Sequence, residues 1–206
     1  MDKFGRVLEK LREHGLLLAS DATLLSASRL ILGGPIKGSW WGHPKGRAIW
    51  TITERLADHR DVVVLRLVKG KVTYVHRRLW PTVYTVGHSK EPWQSHGLSA
   101  GARAILARLK DLGSVRSDQL PRRRGGWTEA VAGLERRLLL ISHEVHTENG
   151  AHAKLLESWE HWAQRCEVST VDMTVGQARS QLEQATESLG ASGAELLPWA
   201  RVNYRR

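Results

Sequence analysis

Apolar residues fall at helical spacing from the start of the chain. Phe4, Val7, Leu8 and Leu11 stand at i, i+3, i+4 and i+7, which predicts an amphipathic helix over residues 3–14 that Gly15 ends. The pattern is less regular to Leu32, where Gly33-Gly34-Pro35 breaks the chain, and an unusual loop follows, Gly38-Ser39-Trp40-Trp41-Gly42-His43-Pro44-Lys45-Gly46. From Arg47 to Asp58 helical spacing returns, with Ile49, Ile52 and Leu56 inward and Arg47, Glu54, Arg55 and Asp58 outward. Two β-rich runs, Val62 to Val68 and Val72 to Arg77, are joined by Lys69-Gly70-Lys71, whose length and glycine suit a hairpin.

The same order returns downstream without obvious repetition of residues. Ser99 caps a helix with Ala102, Ile105, Leu106, Leu109 and Leu112 on one face, and Gly113 closes it. A short helix is expected at Ser117 to Leu120 and a third at Thr128 to Leu138, followed by strands over Leu139 to His146 and near Ala151 to Leu156, with a Glu148-Asn149-Gly150 turn. Short helices closed by a hairpin describe a winged helix, a helix-turn-helix variant. The expected fold class is therefore α+β: tandem winged-helix domains over residues 1–87 and 97–170, then a C-terminal helix and basic tail over 171–206. A generic α+β fold without a groove-reading role competes with it. The last helix is signalled by the capping box Thr174-x-x-Gln177 and is expected to pack back on the body, whereas Gly190 to Arg206 is expected to form a loosely tied tail.

Composition narrows the function classes. The chain has 206 residues, 41% of them hydrophobic and 25% charged, as in folded globular proteins. Its lone cysteine, Cys166, excludes an intrachain disulfide, and no stretch approaches the roughly 20 apolar residues of a membrane span. With no secretory pattern at the start, a cytoplasmic location is expected. The formal net charge of +10 is uneven: residues 1–96 carry 16 basic and 8 acidic side chains, whereas residues 171–206 carry 4 of each. A positive field of that size attracts polyanions, so DNA is the expected partner.

The candidate chemistry follows the charge. Trp40, Trp41, His43, Lys45 and Arg47 combine aromatic surfaces, a near-neutral acid–base group and cations at the start of a helix, as a phosphate-plus-base site would. Alternation in a strand would place Tyr74, His76 and Arg78 on one face and Arg77 on the other, with Arg77 and Arg78 as candidate nucleic-acid contacts, and His43 and His76 could share a pocket. Arg122, Arg123 and Arg124 before the third downstream helix, with Arg136 and Arg137 at its end, could reach DNA phosphates. If the protein is an enzyme, His43, His76, Glu54 and Glu144 are the candidates for catalysis. His143 and His146 diverge on a strand and Cys166 is a lone thiol, so no metal and no cofactor is expected.

Three stretches carry a resemblance: Gly34-Pro35-Ile36-Lys37-Gly38-Ser39-Trp40-Trp41-Gly42-His43-Pro44, Gly70-Lys71-Val72-Thr73-Tyr74-Val75-His76-Arg77-Arg78-Leu79-Trp80-Pro81, and Glu144-Val145-His146-Thr147-x-x-Gly150-x-His152. Together they resemble short bacterial proteins labelled AlkZ-related, after DNA glycosylases built from tandem winged helices. The resemblance implies a winged-helix, DNA-associated protein with a role in repair. It does not imply the glycosylase reaction, because the catalytic Gln-x-Gln or Gln-x-Asp motif of those enzymes has no counterpart in the N-terminal half. Gln94 lacks such a partner, and Gln181 with Glu183 lies in the C-terminal helix. A nucleic-acid hydrolase and a non-enzymatic protein-interaction module stand as alternatives.

Overall fold

The computed structural model describes residues 2–36, 40–121, 124, 126–148, 150, 152–169, 171–190 and 193–201. The first helix, α1 (Lys3–His14), begins where the Asp2 carboxylate accepts from the Gly5 amide at 2.7 Å, and it ends at Gly15, whose φ of 77° is left-handed. Its stripe Phe4, Val7, Leu8 and Leu11 is buried, as the spacing predicts. The less regular stretch that follows contains a buried strand, β1 (Leu16–Leu18), and a short helix, α2 (Ala27–Leu32), capped by Ser26. Next come α3 (Gly46–Ala57) and an antiparallel pair, β2 (Val62–Leu65) and β3 (Thr73–His76). These strands form a three-stranded antiparallel sheet in the order β1-β3-β2, with Leu17 opposite Tyr74 and Val63 opposite Val75.

A second sheet is assembled in the same order from later residues. Helix α6 (Ala100–Leu112) is capped by Ser99, whose hydroxyl accepts from the Ala102 amide at 3.1 Å. It is followed by β4 (Ser114–Arg116), a 3-10 turn at Ser117–Gln119, α7 (Thr128–Arg136), β5 (Ile141–His146) and β6 (His152–Glu157). The sheet order is β4-β6-β5, again antiparallel. Helices α4 (Trp80–His88) and α5 (Pro92–Ser95) lie between the two units, and α8 (Trp159–Arg165) and α9 (Val175–Glu187) follow the second. The protein is thus an α+β fold with two small antiparallel sheets, and among the described residues no helix is long and apolar enough to cross a membrane.

Three cores hold it together. Leu17, Val62 and Tyr74 face α1, α2 and α3, whereas Ala102, Ile105, Leu134 and Leu156 close the second unit. The third core joins the units: Leu16, Leu18, Val63 and Val75 from the back of the first sheet meet α4, α8, α9 and, from the second unit, Leu138 and Ile141. Trp80, Trp93, Trp159 and Trp162 are buried there, with Trp80 and Trp159 both edge-on to Trp162 at 5.3 and 5.5 Å. Because both faces of the first sheet are apolar, it needs covers on both sides, and the linker helices supply the second. Gln94, fully buried, ties the same junction with its amide donating to the carbonyls of Gly87, Arg137 and Leu138.

Several local expectations are corrected. The strands of the first hairpin stop at Leu65 and start at Thr73, because Leu67 and Val68 turn inward to complete burial and leave a longer connection than Lys69-Gly70-Lys71. Arg77 and Arg78 lie in a 3-10 turn, Arg77–Leu79, so strand alternation ends at His76 and does not extend to Arg78. Helix α7 stops at Arg136, with Leu138 in the left-handed region (φ 52°), and the following strand opens at Ile141. The stretch 193–201 is not a loose tail: Leu197 is fully buried, and the Trp199 indole donates to Glu183 at 2.8 Å. Arg205 and Arg206 lie outside the described residues.

Candidate nucleic-acid interface

Helix α3 presents the densest group of sequence-selected residues. Gly46 begins it under the loop, and a Cβ there would meet the Trp40 carbonyl oxygen at 2.8 Å, so glycine is required for the loop to fold onto the helix. Lys45 is the N-cap residue, and its amide donates to His43 Nδ1 at 3.1 Å, a bond within the loop ahead of the helix. Trp40 packs partly into the first core, and its ring stacks on that of Trp41 with centroids 4.1 Å apart. Trp41 is 70% exposed and Trp50, one turn into the helix, 43%. Arg47, Trp50, Thr51 and Glu54 share the outer face, opposite buried Ile49, Thr53 and Leu56. Lys45 and Arg47 are exposed and form no ion pair among the described residues. Lys37, Gly38 and Ser39 of the loop lie outside the described residues.

Most other cations are held within the fold. Asp21, buried, receives Lys71 at 2.8 Å and Lys69 at 3.3 Å, together with the amides of Thr23 and Leu24. Burial alone would raise its pKa, but Lys71 and those amides hold the carboxyl well below the usual range. The two lysines at the tip of the first hairpin thus share one carboxylate, and Gly70 lies against the Arg136 side chain of α7. Arg77 pairs with Asp61 at 3.3 Å, and Arg78 donates to the Glu13 carbonyl at 2.9 Å. Arg137 donates to the carbonyls of Gln94 and His96, bracing the linker. Arg124 and Arg136 are exposed beside or on α7, and Arg122 and Arg123 lie outside the described residues.

The candidate acid–base groups are dispersed. His43 precedes the first turn of α3, whereas His76 pairs with Val62 beyond its last turn. A 12-residue helix is roughly 18 Å long, so the two imidazoles sit at opposite ends and do not share a pocket. His76 accepts from the Arg78 amide at 3.4 Å, and it holds its proton less tightly than an ordinary histidine, chiefly through burial, with Arg12, Arg78 and Arg77 adding to the effect against Asp61. Glu54 lines an open groove between α1 and α3 with Phe4, Thr51, Arg55, Asp58 and His59, and the Arg55 guanidinium covers the Phe4 ring at 3.9 Å. His43, His76 and Glu144 do not line that groove, and Glu144 projects from β5 opposite Lys154.

A second charged centre has no precedent in the sequence reading. The Glu157 side chain is fully buried, with two bonds from Arg165 at 2.9 and 2.6 Å, His161 at 3.0 Å and His143 at 3.5 Å. Burial opposes its charge, but Arg165 foremost, then His161 and His143, hold its pKa below the ordinary carboxylate value. His143 in turn is lowered, mainly by burial and further by Arg165, against the pull of Glu157. The i, i+4 spacing of Glu157 and His161 was the available signal; the strand register that adds His143 is not readable from spacing.

These shifts set a pH dependence. His76 and His143 bind protons less well folded than unfolded, so their contribution is complete above the ordinary value of 6.5 and lost as pH falls through their lower folded values. Glu157 likewise contributes fully above 4.5 and loses its contribution as pH falls through its folded value. The melting temperature is expected to decline in two stages on acidification, first below 6.5 and more steeply below 4.5; an unchanged Tm across that range would contradict these environments.

Comparisons with protein-family models, curated proteins and solved structures give no match. The likeness to AlkZ-related proteins therefore rests on the three sequence stretches alone.

Proposed function

We propose that the protein binds DNA through two winged-helix units, with α3 and its tryptophan loop as the principal contact. The observation that carries this reading is the repeated order of helix, strand, helical turn or helix, helix and hairpin, each unit closing a sheet with its first strand beside its last. In such a unit the helix before the hairpin is the one offered to a groove, and these are α3 and α7. On α3 that outer face carries exposed Arg47, Trp50 and Thr51 behind Lys45, a combination of phosphate-binding cations and stacking surface. The resemblance of three sequence stretches to AlkZ-related proteins directs the proposal toward damaged-base recognition.

Fluorescence anisotropy with labelled duplex and single-stranded DNA, intact and lesion-bearing, tests the reading at two salt concentrations. The charge-reversed double variant Lys45→Glu/Arg47→Glu is expected to bind about tenfold or more weaker at low salt and to reduce the salt slope by about 2, as loss of two phosphate contacts requires. Unchanged affinity in that variant would remove α3 from the interface. Salt-indifferent binding to a protein instead would favour an interaction module using Trp41 and Trp50, the large side chains most open on this face.

A further inference from the structure

Histidines are ambiguous in a strand until the register is known. Along β5, His143 and His146 point to opposite faces, which argues against a metal site within one strand. Across the hairpin the geometry is different, because His146 pairs directly with His152 at the last register position before the turn. Their rings lie on the same face with centroids 4.7 Å apart and planes inclined at 54°. Two imidazoles bound cis to one metal, with metal–nitrogen bonds of about 2.0–2.1 Å, place their ring centroids roughly 4.5–5.5 Å apart.

We propose that His146 and His152 form a two-imidazole site for a borderline transition-metal dication, zinc, nickel or copper(II), at the tip of the β5–β6 hairpin. Both residues are exposed, and among the described residues neither ring nitrogen makes a hydrogen bond or ion pair with the protein. By contrast, His143 and His161 are both engaged by Glu157. Imidazole nitrogen selects zinc, nickel and copper over magnesium or calcium, which prefer oxygen. Among the described residues no set of three or more His, Cys, Asp or Glu is placed to hold a metal, so the site is a two-ligand chelate whose remaining positions are filled by water. Bound there, the ion clips the two strands where their pairing ends and adds positive charge at the tip. The proposal is independent of the DNA-binding reading.

Isothermal titration of the full chain with zinc or nickel chloride near neutral pH tests it. One saturable dication per chain is expected, with magnesium giving no binding. His146→Ala and His152→Ala should each weaken the affinity about tenfold or more, and His143→Ala should leave it unchanged. In the unaltered chain, zinc should shift the imidazole C–H resonances of His146 and His152 together in NMR spectra, a readout that does not depend on any variant folding. No zinc or nickel binding, affinity retained in either of the first two variants, or shifts confined to other histidines would overturn the proposal.

Discussion

Replacing Glu157 by alanine is expected to lower the stability of the fold by about 1.5–3 kcal/mol, the worth of charged hydrogen bonds on a buried carboxylate whose partner Arg165 is itself half exposed. The carboxylate is fully buried at the end of β6 and receives Arg165 through two hydrogen bonds, with His161 and His143 alongside. Its deletion leaves a guanidinium whose compensating charge is gone and two imidazoles without their acceptor. It also opens a gap beside β4, since Ser114 and Ile141 flank Glu157 in the sheet. Glu157→Gln keeps the volume and an acceptor but removes the charge, so it should fall between the native chain and the alanine variant. Urea denaturation checks both, and the alanine variant should also lose the stability change below pH 4.5 that Glu157 confers. A loss below about 1 kcal/mol for Glu157→Ala would mean that Arg165 finds equivalent solvation elsewhere.

The second large effect comes from a single methyl group. A Cβ built on Gly87, in α4, would lie 2.0 Å from Cε2 of Trp159 and 2.4 Å from its Nε1. That indole is almost wholly buried and donates to the Leu138 carbonyl at 2.7 Å, so it cannot step aside without breaking the bond and disturbing the core between the units. Alanine in a helix gains about 1 kcal/mol over glycine from backbone entropy. The forced displacement of a packed, hydrogen-bonded tryptophan outweighs this, and Gly87→Ala is expected to destabilise by about 2–3 kcal/mol net. Gly133→Ala is the control: in α7 the added Cβ meets nothing within 4 Å, and a gain of up to about 1 kcal/mol is expected. The same substitution thus has opposite signs at two helical glycines, and equal denaturation midpoints for the two variants would contradict the packing described.

The parts of the fold most legible in the chain were those fixed by local periodicity and caps. Gly15, Ser99 with Gly113 and Thr174 with Gln177 mark helix ends by hydrogen bonds to residues close in sequence. Helix α4 was not legible: Thr82, Val83, Tyr84, Thr85 and Val86 are strand-favouring types, and only burial against α8 and α9 makes them a helix. The candidate interface was legible in part. Lys45, Arg47 and Trp41 are exposed where the loop reading put them, but Arg78 and Arg137 are spent on carbonyls of neighbouring segments. Local spacing says where a cation sits on its own element and nothing about a carbonyl 41 or 65 residues away.

The sequence alone therefore determined most of the apolar positions of α1, α3 and α6, with Leu112 the exposed exception, the caps at Gly15, Ser99, Gly113 and Thr174, the presence of two hairpins and the positive bias of residues 1–96, because each depends on neighbours within a few positions or on composition. Tertiary structure decided which charges remain available, separated His43 from His76 by the length of α3, gathered Glu157, Arg165, His161 and His143, and faced His146 with His152. Each of those outcomes depends on register and packing between distant segments, where burial free energy summed over many side chains overrides local preference.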